Sequence, residues 1–133
     1  MKVLFVCIHN SGRSQMAEAF ARRLGKGVIE AESAGTQPAD GINPIVRQAM
    51  AEIGYDMADQ HPKIMTMDTV RSADKAITMG CDVTSDAACP ATFIPTVDWG
   101  LEDPKGRPIE KVREIRDQIR RRVENLVEEV GHE

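Results

Sequence analysis

The sequence predicts an α/β fold: an open sheet of four parallel strands with helices on its faces, in a single domain over residues 1–133. Two observations carry this prediction. K-V-L-F-V (2–6) is an unbroken apolar, β-branched run, as a strand buried on both faces requires. Further strand-like runs then alternate with amphipathic helical stripes, which calls for parallel strands joined by right-handed crossovers. No repeat, low-complexity stretch or linker interrupts the alternation.

After the first strand, Met16, Ala17, Phe20, Ala21 and Leu24 fall on one helical stripe, and Gly25 is its stop. V-I-E-A-E-S-A (28–34) alternates as a second strand and closes at Gly35. Asn43 is placed to cap a helix with Pro44 in its first position; Val46, Ala49, Met50 and Ile53 form its buried face, and Gly54 ends it. A short helix is expected from Thr66 to Arg71. K-A-I-T-M (75–79) is the third strand and F-I-P-T-V (93–97) the fourth. Pro95 cannot donate to a ladder, so the fourth strand belongs at the sheet edge. Ile109, Val112, Ile115, Ile119, Val123, Leu126, Val127 and Val130 mark a long closing helix, and Arg120, Arg121 and Arg122 form a solvated face on it. Segment 80–92 is too long for a mere turn, and loops of that length tend to be functional.

Composition narrows the function. A hydrophobic fraction of 41% and a charged fraction of 29% are ordinary for a globular protein, and the net charge of −4 argues against nucleic acid as a partner. V-L-F-V (3–6) is too short for a membrane span or a signal-peptide core, so a cytoplasmic protein away from membranes is expected, and a monomer is expected as well. Three cysteines, an odd number, do not suggest a disulfide-stapled secreted domain. His9, His61 and His132 are not at zinc-ligand spacing from any cysteine pair, so no metal is expected. No bound cofactor is expected either: neither G-x-x-x-x-G-K-[ST] nor G-x-G-x-x-G occurs.

What remains is reactive thiol chemistry. In open α/β sheets, ligands bind outside the carboxyl ends of the strands. Cys7 ends the first strand, Cys81 follows the third, and Asp103 lies a few residues beyond the fourth, so the three should meet on one rim. Between Cys7 and the first helix runs Ile8, His9, Asn10, Ser11, Gly12 and Arg13, a polar, glycine-bearing loop whose amides can form an anion nest at a helix N-terminus. Arg13 adds a planar fork for two oxygens of a tetrahedral anion. The same positive field favours the thiolate form of Cys7, which is the nucleophile. Ser14 is placed either to cap the helix or to bond the Cys7 sulfur, and the two roles are compatible.

The stretch C-I-H-N-S-G-R-S-Q-M-A-E (7–18) resembles the signature loop of the arsenate reductases built on the low-molecular-weight protein tyrosine phosphatase fold. The phosphatases share C-x₅-R-S but usually carry proline where this chain has Gln15. The likeness continues in order through S-A-G (33–35), N-P (43–44), T-M-G-C (78–81), C-P (89–90) and D-W-G-L-E-D-P-K-G (98–106). It implies a flavodoxin-like sheet with strand order 2-1-3-4.

The resemblance also implies roles. Cys7 attacks arsenate held by loop 8–13 and Arg13, and Asp103 is the general acid in preference to a mere turn residue before Pro104. Cys81 then attacks Cys7 to release arsenite, and Cys89 takes over the disulfide for reduction by thioredoxin. Some relatives use a low-molecular-weight thiol instead. Some members bind potassium near the residues matching Glu18 and Ser33, and Lys63 stands in position to replace that cation here. Phosphate or sulfate would mimic arsenate. The alternatives are a tyrosine phosphatase, which needs aromatic or apolar walls for a phenyl ring, and a non-catalytic redox sensor, which would leave the Arg13 cradle without purpose. Only Trp99, Tyr55 and His9 are available as such walls, which favours a bare inorganic oxyanion.

Overall fold

The computed structural model describes residues 1–80 and 94–131. Cys81, Cys89 and Phe93 lie outside them. The described elements are β1 (Lys2–Cys7), α1 (Arg13–Leu24), β2 (Glu30–Gly35), α2 (Pro44–Ala51), α3 (Met67–Ser72), β3 (Lys75–Thr78), β4 (Thr96–Asp98) and α4 (Ile109–Gly131). All strand pairs are parallel and the order is β2-β1-β3-β4, as expected.

β1 is central and buried on both faces, which is why its sequence is apolar without alternation. Val3, Phe5 and Cys7 face a core shared with α1, α2 and α4; Leu4 and Val6 face a smaller one with Ala34, Met65, Val70 and Ala73. Asn43 caps α2 by accepting from Ile45 N at 2.9 Å, and Thr66 caps α3 by accepting from Thr69 N at 3.1 Å. α2 is shorter than its apolar stripe suggested: it ends at Ala51, and Ile53 and Gly54 belong to the turn that follows. β4 is the edge strand, but it starts at Thr96 instead of residue 93. Pro95 lies just before it and takes part through its carbonyl, accepting from Ala76 N at 2.9 Å, because that is the one ladder group a proline retains.

Glu52, at the end of α2, ties it to α4. Its carboxylate accepts from Arg113 Nε at 3.0 Å and from Arg113 Nη2 at 2.5 Å, and Arg116 Nη1 donates to it at 3.1 Å. The Arg113 hydrogen bonds hold the Glu52 carboxyl below the usual carboxylate range. Arg121 and Arg122 on α4 are exposed and Arg120 is half-buried, so the expected solvated face holds for two of the three arginines. Among the described residues no helix is long and apolar enough to cross a membrane.

Candidate active site

The carboxyl ends of β1 and β3 open onto a cavity of about 360 Å³ lined by Cys7, loop residues Ile8, His9, Ser11, Gly12 and Arg13, then Gly80, and the segment Leu101, Glu102, Asp103 and Lys105. The predicted convergence of Cys7 and Asp103 on one rim is therefore present. Cys81 and Cys89 fall outside the described residues, although Gly80, immediately before Cys81, lines the cavity.

The loop is an amide nest because its carbonyls are held outward. Ile8 O accepts from Gln37 N at 2.8 Å, His9 O from Ala39 N at 3.0 Å and Ser11 O from Asn43 N at 2.9 Å, while Asn10 O accepts from Gln15 Nε2 at 3.0 Å. With those carbonyls engaged elsewhere, the amides of His9, Ser11, Gly12 and Arg13 meet no acceptor among the described residues, at a helix N-terminus that favours negative charge.

Asn10 behaves differently from the rest of the loop. Its φ is +51°, a left-handed value that asparagine tolerates better than most residues. It does not line the cavity: its N–H donates to Cys7 Sγ at 3.2 Å and its side chain turns inward. There Nδ2 donates to Ser14 Oγ at 2.7 Å, and Oδ1 accepts from Lys63 N at 2.9 Å and Gln15 Nε2 at 3.0 Å. Asn10 thus contributes to the sulfur and to the loop's frame rather than to the anion's seat.

Ser14 does not cap α1. The N-cap is Gly12, which has no side chain to offer, and Ser14 sits within the first turn with its Oγ 2.9 Å from Cys7 Sγ. Because Asn10 Nδ2 already donates to that oxygen, the hydroxyl proton is available to the sulfur. Asn10 N–H, which donates, and Ser14 Oγ, which shares a hydrogen bond, thus both face the Cys7 sulfur.

Arg13 is anchored at one end of its guanidinium. Nη1 donates to Met79 O and Leu101 O, both at 2.7 Å, which leaves the Nε–Nη2 edge for two oxygens of an anion. Nη2 is 3.8 Å from Asp103 Oδ2. Asp103 forms the turn expected of a residue before Pro104: its exposed carboxylate accepts from Lys105 N at 2.9 Å. Replacing Arg13 by Lys should lower oxyanion affinity by about a hundredfold, since a point charge can neither fork nor hold both carbonyls. The check is the phosphate concentration that half-protects Cys7 from iodoacetamide; a value unchanged from wild type would remove Arg13 from the cradle.

Glycine at position 35 follows from sterics. A Cβ there would lie 2.5 Å from Ile8 O, 3.0 Å from Cys7 O and 3.0 Å from Asn10 Cβ. Two of these are backbone atoms of the cradle itself. Gly35→Ala should therefore push the loop outward, lowering the thermal midpoint by about 5 °C and weakening phosphate binding together. Thermal unfolding with and without phosphate reads both; a variant unchanged in both measurements would show that the loop can yield freely.

The buried Glu18 carboxylate accepts from Ser33 Oγ at 2.5 Å and pairs with Arg22 at 3.1 Å, and Lys63 Nζ lies 3.5 Å from its Oε1. Of the three residues available as aromatic walls only His9 lines the cavity. Trp99 packs on Phe5 with ring centroids 5.8 Å apart, and Tyr55 lies edge-on to Phe20 at 4.8 Å beneath the Arg23 guanidinium.

Sequence reasoning assigned no structural role to Gln15 or Asp98. Gln15 Nε2 also donates to His61 O at 2.9 Å, joining the 60–63 segment to the loop. Asp98 accepts from Thr78 Oγ1 at 2.6 Å, Gly80 N at 2.8 Å and Gly100 N at 3.0 Å, which fixes the chain on both sides of the cavity wall. The Asp-x-Gly spacing of 98–100 was a readable turn signal.

Residues 2–133 match the low molecular weight phosphotyrosine protein phosphatase family. A Halobacterium salinarum protein provisionally named arsenate reductase is 41% identical over 130 residues, covering 94% of this chain and 89% of that protein. A structure described as an arsenate reductase in the phosphate binding state is similar at TM-score 0.87 and 38% identity, covering 97% of this chain and 98% of the other. The Corynebacterium glutamicum thioredoxin-dependent arsenate reductase is similar at TM-score 0.81 and 37% identity, over 98% of this chain and 61% of that one.

Proposed function

The chain belongs to the low molecular weight phosphotyrosine protein phosphatase family, and from that premise we propose that it reduces arsenate to arsenite with thiols as the electron source. The observation that carries this reading is the cavity lining. It offers an amide nest, a guanidinium edge shared only with Asp103 and a sulfur hydrogen-bonded by Asn10 N–H and Ser14, while the only ring among its described residues is the His9 imidazole. A bare tetrahedral anion suits such a seat, and a phenyl phosphate lacks its wall.

In the scheme, the Cys7 thiolate attacks arsenic, and an arsenate hydroxyl leaves as water with a proton from Asp103. Cys81 attacks the Cys7 sulfur; the electron pair of the sulfur–arsenic bond stays on arsenic, which departs as arsenite, and a Cys7–Cys81 disulfide forms. Cys89 attacks Cys81 and frees Cys7. An external thiol reductant then opens the Cys81–Cys89 disulfide, and we assign this role to thioredoxin. No metal enters the scheme, because Lys63 and Arg22 supply the positive charge next to Glu18. We place the protein in the cytoplasm as a monomer. Because Cys7, Arg13 and Asp103 are also the parts a phosphatase needs, slow hydrolysis of p-nitrophenyl phosphate should accompany reduction.

The test supplies arsenate, thioredoxin, thioredoxin reductase and NADPH, and follows NADPH loss. Arsenate-dependent oxidation is the expected result. Oxidation only when glutathione and glutathione reductase replace thioredoxin and its reductase would retain the arsenate reductase reading and change the partner. Phosphotyrosine hydrolysis without any arsenate reduction would overturn the proposal.

A further inference from the structure

We propose that Lys105 is the cation that draws the oxyanion into the cavity, a positioning residue that acts through its field. The inference deepens the reading above and rests on it for the nature of the anion. Lys105 lines both the Cys7 cavity and an adjoining groove of about 660 Å³, sharing that boundary with His9 and Ser11. It therefore stands where an anion passes from the groove to the sulfur.

The charges around it single it out. Four fully charged side chains line the cavity: Arg13, Glu102, Asp103 and Lys105. Arg13 is committed to two carbonyls and lies 3.8 Å from the Asp103 carboxylate. Glu102 is met by Arg107 at 3.3 Å and Lys111 at 3.7 Å. Lys105 Nζ has no carboxylate or carbonyl partner among the described residues, so it is the unpaired cation of the cavity lining, and it faces a groove whose one carboxylate, Asp40, meets no cation among the described residues. The surrounding chain carries a net charge of −4, which disfavours an incoming anion unless a local cation opposes it.

The backbone beneath the lysine is held in place. Lys105 N donates to Asp103 Oδ1, and Pro104 is buried against the loop so closely that a Cβ on Gly12 would come within 3.0 Å of its Cγ. The side chain is exposed, so its attraction acts through water, is modest, and is screened by salt. These properties separate it from Arg13, whose grip is short-range and buried.

The experiment measures half-protection of Cys7 from iodoacetamide by inorganic phosphate and by arsenate, a readout that needs no reductase turnover. With Lys105→Ala at low ionic strength, the half-protecting concentration should rise about three- to tenfold, and the effect should shrink below about twofold in 0.5 M sodium chloride. Lys105→Arg should stay within about twofold of wild type. In the coupled arsenate assay, Lys105→Ala should raise KM at low salt with little change in kcat. Protection unchanged in Lys105→Ala would overturn the proposal. So would a loss that salt does not diminish, which would indicate a direct contact, or a loss that arginine does not restore, which would indicate the shape of the turn. If arsenate is not reduced at all but the salt-dependent protection persists, the reductase reading fails and the steering role stands.

Discussion

Cys7→Ser is expected to lower arsenate turnover by at least about a thousandfold and to abolish p-nitrophenyl phosphate hydrolysis with it. The fold should survive, because a serine hydroxyl at the end of β1 can take over the bonds now made by sulfur to Asn10 N at 3.2 Å and to Ser14 Oγ at 2.9 Å. The cradle amides and the Arg13 edge are untouched by the change, so phosphate should still bind and raise the thermal midpoint. What is lost is the nucleophile: a hydroxyl is not ionised at neutral pH, and an oxygen–arsenic ester offers no sulfur for a second thiol to attack. Calorimetric titration with phosphate beside the two activity assays makes the check. Retained turnover would place the nucleophile elsewhere, and lost phosphate binding would mean that the sulfur builds the seat as well as reacting in it.

Cys81→Ser should stop multiple-turnover arsenate reduction while leaving the slow hydrolysis of p-nitrophenyl phosphate within a few-fold of wild type. Hydrolysis needs only Cys7, the cradle and a general acid, whereas reduction needs a second sulfur to take the Cys7 sulfur away from arsenic. The chain position supports the choice: Gly80 lines the cavity with Cys7, β3 lies directly beside β1, and Cys81 is the next residue. Cys89→Ser should by contrast allow a single turnover and leave a Cys7–Cys81 disulfide, seen by mass spectrometry of a non-reduced digest. Normal reduction by both variants with thioredoxin would dismantle the relay in favour of a small thiol. Hydrolysis lost in Cys81→Ser would make that thiol structural.

Much of this site could be read from the sequence because it follows from chain order. Once 2–6, 75–79 and a strand near 96 are parallel, Cys7, residue 80 and Asp103 share one rim wherever the exact ends fall. Arg13 at the start of a helix points to an anion. The readings that failed depend on rotamers and close contacts, which chain order does not contain. Ser14 keeps only one of its two expected roles, the bond to the Cys7 sulfur, because Gly12, two residues earlier, holds the cap position. Trp99 and Tyr55 went to the core because Phe5 and Phe20 offered them partners. The inward turn of the Asn10 side chain depends on Gln15 and on Lys63 N, which arrives from far along the chain. Only the positive φ of Asn10 had a sequence correlate, the tolerance of asparagine for that region.

The amides of Gln37, Ala39 and Asn43 hold the loop by its carbonyls, a grip that does not depend on the side chains at positions 9 and 11. His9 and Ser11 can therefore be exchanged without dismantling the anion's seat, and a library randomised at those two positions would sample new neighbours for a fixed tetrahedral core. Substrate range in this chain is open to change at little expense in stability, through side chains that face the groove but do not build the floor. The route closes from an unexpected side: a proline introduced at 37, 39 or 43 would delete a donor remote from the chemistry and release the floor itself.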